Sequence, residues 1–256
     1  MDKEYIEFTE ELHKKWIDDT LELDEKVKKD FQVDYLPEPY LDFDCGTNPL
    51  YILTTNPGGG MQMQKRDVIV SNDSESGIVK DDKYSEVAKK LANFYIDILK
   101  GSAAGRRIDK MLELASQSNF DGVFQVESYP FHSATLPNKK QFLKIMKNDS
   151  FFIEYTDLLQ KLLSNKTTIV ISATGTQKSI SINNIRNNVW LKWQSEIIGI
   201  EYIDNLTLIP LVTKADKITS AFLYEKQNNI VKGFVLAMGS NNLPSDISKI
   251  SKIIGI

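Results

Sequence analysis

One amide stands beside three glycines, and that arrangement is where the chain could do chemistry. Asn56 follows the short apolar and β-branched run 51–55 and precedes Pro57, Gly58, Gly59 and Gly60. Pro57 ends a strand ladder because it has no N–H to donate. The glycines let the backbone take positive φ and come close to whatever sits above it. The spacing predicts a buried strand over 51–55 whose carboxyl end opens on a crevice, the place where open α/β sheets bind ligands. Asn56 is the polar side chain expected to reach into it, holding a water molecule or a base edge. A phosphate cradle is the rival reading. The turn has no Gly-Lys-Ser/Thr ending and no G-x-G-x-x-G spacing running into a helix, which argues against nucleoside triphosphate and dinucleotide enzymes.

Two further runs end in the same manner. The stretch 122–130 reads as a strand stopped by Pro130, with Glu127, Tyr129, Phe131, His132 and Ser133 at its carboxyl end. The stretch 167–172 is followed by Ala173, Thr174, Gly175 and Thr176. In a parallel sheet all three turns fall on one rim and can line one pocket, although loops of α/β proteins are rich in such residues anyway. His132 is one of only two histidines, the other being His13; a purely structural histidine is the ordinary alternative. Glu127 can point to either face, and a buried carboxylate there would need a partner. Cys45 is the only cysteine, which excludes an intramolecular disulfide and a cysteine-built metal site. A zinc site would then need several carboxylates, so neither a metal nor a cofactor is expected.

The elements that position these residues follow from periodicity. Residues 4–30 carry Tyr5, Phe8, Leu12 and Trp16 at helical spacing and predict one or two amphipathic helices, an N-terminal helical segment over about 1–34. Pro37 and Pro39 enforce an extended path, expected to cross the surface, and 42–49 is turn-rich. Residues 61–83 lack sustained helical periodicity and form a long loop, a candidate lid over the crevice. Helices are expected over 84–100, 107–116, 138–147, 150–163, 185–198 and 245–254. Residues 206–212 predict a strand that Pro210 confines to an edge or a bulge. The runs 220–225 and 230–238 flank Gln227, Asn228 and Asn229 as a hairpin. Strands alternating with helices predict an α/β fold, a three-layer αβα sandwich around a mainly parallel central sheet, in a single domain over 1–256.

The bulk properties fit a soluble globular chain: 256 residues, 41% apolar and 26% charged. The formal charge of −4 counts against broad coating of a polyanion but leaves room for a local basic rim. No apolar run approaches the ~20 residues that span a bilayer, and Met1-Asp2-Lys3-Glu4 is not a signal sequence. The expectation is a cytoplasmic protein with no membrane association and no obligate protein partner.

Leu53 to Gly58, with its Asn-Pro-Gly turn, resembles the first motif of the uracil-DNA glycosylase superfamily. The lead-in Leu36-Pro37-Glu38-Pro39-Tyr40-Leu41 and the turn Tyr129-Pro130-Phe131-His132-Ser133 are similar to a bacterial and phage-associated branch of that superfamily. The resemblance spans roughly residues 36–245. It implies a uracil-DNA glycosylase-like fold and a DNA glycosylase that flips a base out of the stack and hydrolyses its N-glycosidic bond. Asn56 falls where the family holds the attacking water, and Glu127 to Ser133 fall where it recognises the flipped base. The family's C-terminal motif has no clear match. Ser240, Asn241, Asn242 and Leu243, running on to Ser245, are the best positional candidate, and 212–216 is the second. Leu243 would then fill the gap left by the base. His132 would stabilise the departing base, a donor role commonly worth ~2.7–4 kcal/mol. DNA would be the partner, held by a set drawn from Lys65, Arg66, Arg106, Arg107, Lys139, Lys140, Lys178 and Lys214. Relatives in this branch remove modified cytosines such as glucosylated hydroxymethylcytosine from phage DNA, and three glycines would leave room for a large base. The resemblance therefore implies an anti-phage defence enzyme. A uracil-type repair glycosylase, a non-catalytic nucleotide- or DNA-binding module on the same fold, and a hydrolase of nucleosides or nucleotide sugars are the alternatives.

Overall fold

Every residue of Leu50–Thr54 is buried, as a strand covered on both faces must be. This strand lies near the middle of a mixed sheet. The structure, a computed structural model, describes residues 3–55, 57–133, 139–173, 179–239 and 242–255. In chain order the elements are α1 (Lys3–Ile17), α2 (Glu25–Asp30), β1 (Tyr40–Phe43), β2 (Leu50–Thr54), α3 (Arg66–Val70), α4 (Tyr84–Ile98), α5 (Ala103–Gln117) and β3 (Val123–Glu127). They continue as α6 (Lys139–Asn148), α7 (Ser150–Leu163), β4 (Thr168–Ala173), α8 (Ile182–Arg186), α9 (Val189–Ile198), β5 (Thr207–Lys214), β6 (Lys217–Gln227), β7 (Ile230–Ala237) and α10 (Ser248–Ile254).

Among the described residues the strands form one seven-stranded sheet in the order β1-β3-β2-β4-β7-β6-β5. The pairs β2/β3, β2/β4 and β4/β7 are parallel, whereas β1/β3, β5/β6 and β6/β7 are antiparallel. The sheet is thus parallel in its centre and antiparallel at both sides, a mixed sheet where a mainly parallel one was expected. Helices flank it, an arrangement consistent with three layers. The two-residue connections Ala215-Asp216 and Asn228-Asn229 explain the antiparallel side: all four residues have positive φ, the geometry that closes a tight hairpin with the strand twist. The expected hairpin at 227–229 is present. Pro210 sits on the outer strand beside register shifts, as the edge assignment requires.

Three further expectations change. Residues 36–43 do not cross the surface; all are buried, and 40–43 pair with β3 as an unforeseen edge strand. Two prolines do fix an extended path, but the apolar Leu36, Tyr40 and Leu41 draw it inward. Residues 61–83 are not a free lid. They hold a 3-10 turn at Gln62–Gln64 and α3, and Met63, Gln64, Ile69 and Ile78 are buried. The region expected as one helix over 185–198 divides into α8 and α9, with the Asn188 side chain accepting from Trp190 N–H (3.0 Å) and Leu191 N–H (3.3 Å) to start the second. The N-terminal helices join the same core. Tyr5, Trp16 and Val27 are buried in it, the Tyr5 hydroxyl donates to Pro39 O (2.9 Å), and the Trp16 Nε1–H donates to Val33 O (2.9 Å).

Candidate functional site

The four strands β3, β2, β4 and β7 run the same way, so the turns after 54, 127, 173 and 237 share one rim. Within this group the chain order is second, first, third, fourth. The chain leaves β2 towards β3 on one side and leaves β4 towards β7 on the other. Neighbouring strands whose connections diverge create the crevice in which open sheets take ligands. Here that point lies between the carboxyl ends of β2 and β4. Asn56 belongs to the first of these turns, and Thr174, Gly175, Thr176 and Lys178 to the second; all five lie outside the described residues, as do Ser240 and Asn241.

The turns after β2 and β3 are bound to one another. Ser128 gives both its N–H (2.9 Å) and its hydroxyl (2.6 Å) to Thr54 O, the Tyr129 N–H donates to Thr55 O (3.4 Å), and the Ser133 N–H donates to Gly58 O (2.8 Å). Gln32 holds both turns at once: its N–H donates to His132 O (2.8 Å), and its Oε1 accepts from the Gly60 N–H (3.1 Å). Gly58 has φ +84 and open space where a Cβ would be, so glycine is needed there for backbone conformation alone. At Gly60 a Cβ would run into the Tyr35 ring. The expectation that all three glycines leave space for a base therefore fails at Gly60, whose side is filled by Tyr35. Gly59 is exposed, and Pro57 is half-buried.

His132 is fully buried, with Nε2 3.0 Å from Leu36 O and 3.3 Å from Glu38 Oε1. Both neighbours are acceptors, so an Nε2–H is directed inward at them. Nδ1 is buried without a partner. A leaving-group donor has to present a proton to the crevice, and this ring does not, which corrects the role expected for it. Tyr129 and Phe131 are corrected for a similar reason. Both are fully buried, packed on Phe31 at ring-centroid distances of 5.1 and 6.2 Å, and are core aromatics rather than base platforms. Leu243 also joins the hydrophobic core, so it is not poised to enter a base stack. Asn242 beside it is exposed. The second positional candidate, 212–216, ends in the β5–β6 hairpin turn, two strands beyond β7.

Glu127 closes β3 opposite Thr54. It is buried, its Oε1 accepts from Gln125 Nε2 (2.7 Å), and its Oε2 has no partner. Burial pushes its carboxyl up to about 7; the Thr54 and Gln125 hydrogen bonds and the Arg107 guanidinium pull it down, and the Glu38 charge adds to the rise. Near neutral pH the carboxyl is therefore present in both its protonated and its ionised form. The Nε of Arg107 is likewise buried without a partner. Sequence reasoning overlooked a second carboxylate, Glu38, which is buried behind the rim. Its Oε1 accepts from the Tyr95 hydroxyl (2.6 Å) and from Gln64 Nε2, and Gln64 Nε2 also donates to the Tyr95 hydroxyl (2.6 Å). A glutamate between two prolines, followed by apolar residues, was the available signal. Gln32, Gln64 and Tyr95 gave none.

A hollow of about 420 Å³ lined by Asn48, Tyr51, Thr167 and Ile230 lies at the opposite, amino end of the strands and takes no part in this rim. Among the described residues no group of three His, Cys, Asp or Glu side chains is placed to hold a metal ion, and no helix is long and apolar enough to cross a membrane. Compared with known proteins, the chain matches no family model, no curated protein and no solved structure.

Proposed function

We propose that the rim between β2, β3 and β4 is the site of a DNA glycosylase, an enzyme that takes a base out of the stack and hydrolyses its N-glycosidic bond. One observation carries this reading. The two turns on which the family resemblance rests, more than 70 residues apart in sequence, are joined by the Ser133 N–H to Gly58 O hydrogen bond of 2.8 Å, beside the sheet's switch point. The fold that goes with the reading is a uracil-DNA glycosylase-like three-layer sandwich, and its setting is the cytoplasm.

The chemistry assigns few roles. Bond cleavage passes through an oxocarbenium-like sugar, so the attacking water needs positioning more than deprotonation, and an amide at Asn56 does this at any pH. The departing base gathers negative charge, which a fixed donor stabilises. With His132 turned inward, Glu127 takes that part: a carboxyl group near neutrality can donate while its second oxygen accepts. The same pair of atoms suits the edge of a cytosine, whose ring nitrogen accepts and whose amino group donates. The substrate proposed is therefore a modified cytosine, with glucosylated hydroxymethylcytosine of phage DNA as the leading case and anti-phage defence as the purpose.

The test is to incubate the protein with DNA carrying uracil, hydroxymethylcytosine or its glucosylated form and to assay abasic sites. Release from a modified cytosine, lost in Asn56→Ala, is the expected result. Release from uracil alone would indicate a repair glycosylase. If none of the three DNAs gains abasic sites, the enzyme reading fails. The inward His132 favours one other reading, a silent DNA- or nucleotide-binding module, in which ligand protects the protein against heat without any base release.

A further inference from the structure

Ser128 is the first residue after β3, and a side chain from a distant helix reaches it. Gln194 belongs to α9, which packs on β4, and its Nε2 donates to Ser128 Oγ (3.3 Å). β2 lies between β4 and β3 in the sheet. The Ser128 hydroxyl in turn donates to Thr54 O (2.6 Å), the carbonyl that ends β2. The Gln194 amide is thus two hydrogen bonds from the end of β2, on the residue that directly follows Glu127.

This chain of bonds fixes which way the amide faces. The single hydroxyl proton of Ser128 goes to Thr54 O, so its oxygen can only accept, and only the NH2 end of Gln194 can meet it. Oε1 is therefore held as an acceptor, turned away from Ser128. Gln194 is fully buried, and this oxygen has no partner. A buried acceptor without a donor is costly, and an aliphatic side chain of the same length would avoid the cost. A second oxygen at the rim is in the same state, Oε2 of Glu127. Two buried oxygens left over beside one strand end suit a ligand group that brings two hydrogens. On a nucleobase an exocyclic amino group does this; a ring N–H brings one hydrogen and a carbonyl none.

We propose that Gln194 is a specificity-determining residue: its Oε1 accepts one hydrogen of the exocyclic amino group of the base held at the rim, and the Glu127 carboxyl takes the other. The assignment rests on the base-excision reading and deepens it, because the amide then sorts amino-bearing bases from their carbonyl-bearing counterparts. A carbonyl oxygen in that place would face Oε1 acceptor to acceptor. The bond to Ser128 keeps the amide from turning its NH2 end outward to meet it.

The experiment gives the full chain two oligonucleotides that differ in one group, carrying hydroxymethylcytosine or hydroxymethyluracil at a single position. Affinity is read by fluorescence anisotropy, and base release by single-turnover assay. Wild type is compared with Gln194→Met, which keeps the length and removes the acceptor, and with Ser128→Ala, which frees the amide to turn. Wild type should favour the amino base, and Gln194→Met should lower that preference by roughly tenfold, the value of one buried hydrogen bond. Ser128→Ala should gain on the carbonyl base, a gain that a weakened fold cannot produce. Equal losses on both bases in Gln194→Met, with no gain in Ser128→Ala, would make the amide a structural tie and overturn the proposal. Base release by wild type with no preference, or with one that survives Gln194→Met, overturns the role of Gln194 and spares the glycosylase. A binding preference for the amino base that Gln194→Met abolishes, with no release from either DNA, does the reverse.

Discussion

Replacing Glu127 by Gln should make the protein more stable at pH 8 and leave it almost unchanged at pH 5. The side chain is buried, Gln125 donates to one oxygen, and the other oxygen has no partner. Burial raises its carboxyl to about 7 from the ordinary 4.5. A group raised in the folded state keeps its proton there after the unfolded chain has released it. Its favourable contribution is fully present below pH 4.5 and is lost as the pH rises through 7. The raise of about 2.5, at about 1.4 kcal/mol each, is worth about 3.5 kcal/mol. Gln has the same shape, retains an oxygen for Gln125 and never ionises, so it avoids that loss. Urea unfolding of both proteins at pH 5, 6, 7 and 8 provides the assay, and only their difference counts, because other groups titrate in both. The variant should gain on wild type steadily from pH 5 to 7 and level off above. Parallel stability curves at every pH would show that the carboxyl ionises without penalty, and the proposed role of a neutral Glu127 towards a base would fall with it.

His13 predicts the opposite slope. Burial lowers its pKa below 6.5, the Glu10 and Asp82 groups opposing this only in part, so the unfolded chain protonates first and stability drops as pH falls below about 6.5. His13→Phe should remove that acid-side loss, read as a flatter dependence of urea midpoint on pH between 7 and 5. Tyr95→Phe deletes a 2.6 Å donor to buried Glu38; leaving a buried acceptor short of a partner costs about 1–3 kcal/mol, and chemical denaturation should register a loss of that size. Gly60→Ala should cost about 1–3 kcal/mol because its methyl group meets the Tyr35 ring. Tyr35→Ala in the same chain should recover part of it, since the obstacle is then gone; a thermal melt of the double variant that shows no recovery would place the strain in the backbone instead.

What the sequence disclosed depended on whether a local pattern carried the information. The central strands were legible because 51–53 and 169–171 are short unbroken apolar runs flanked by β-branched threonines and turns, and burial on both faces demands nothing subtler. Pro210 marked an edge strand for a reason that is purely local, its missing N–H. The lead-in 36–43 was misread because two prolines fix an extended backbone without saying which way it faces; Leu36, Tyr40 and Leu41 decided that by packing inward. The aromatic residues of the Tyr129 to Ser133 turn drew attention as candidate site residues, yet rings of that size are equally good core material, and Phe31 and Phe152 claim them. His132 was placed correctly on the chain after β3, but its direction depends on Leu36 O and Glu38, almost a hundred residues away. No periodicity reports a contact of that range.

The same long-range contacts explain how the rim keeps its shape. A turn rich in glycine has little stiffness of its own, since each glycine adds backbone freedom. Here the stiffness is imported. Gln32 fixes Gly60 and His132 together, Ser133 fixes Gly58, and the ring of His132 is itself held by Leu36 O and Glu38. Glu38 in turn is gripped by Tyr95 from α4 and Gln64 from the segment once expected to be a lid. A buried carboxylate with several donors is costly to leave half-satisfied, so these elements hold or loosen together. That dependence makes His132 a brace between the two turns, acting through its backbone carbonyl and its buried ring. It also separates the two residues: the histidine ring is held behind the two turns by Leu36 O and Glu38, and the carboxyl of Glu127 is left as the titrating group at the end of the neighbouring strand.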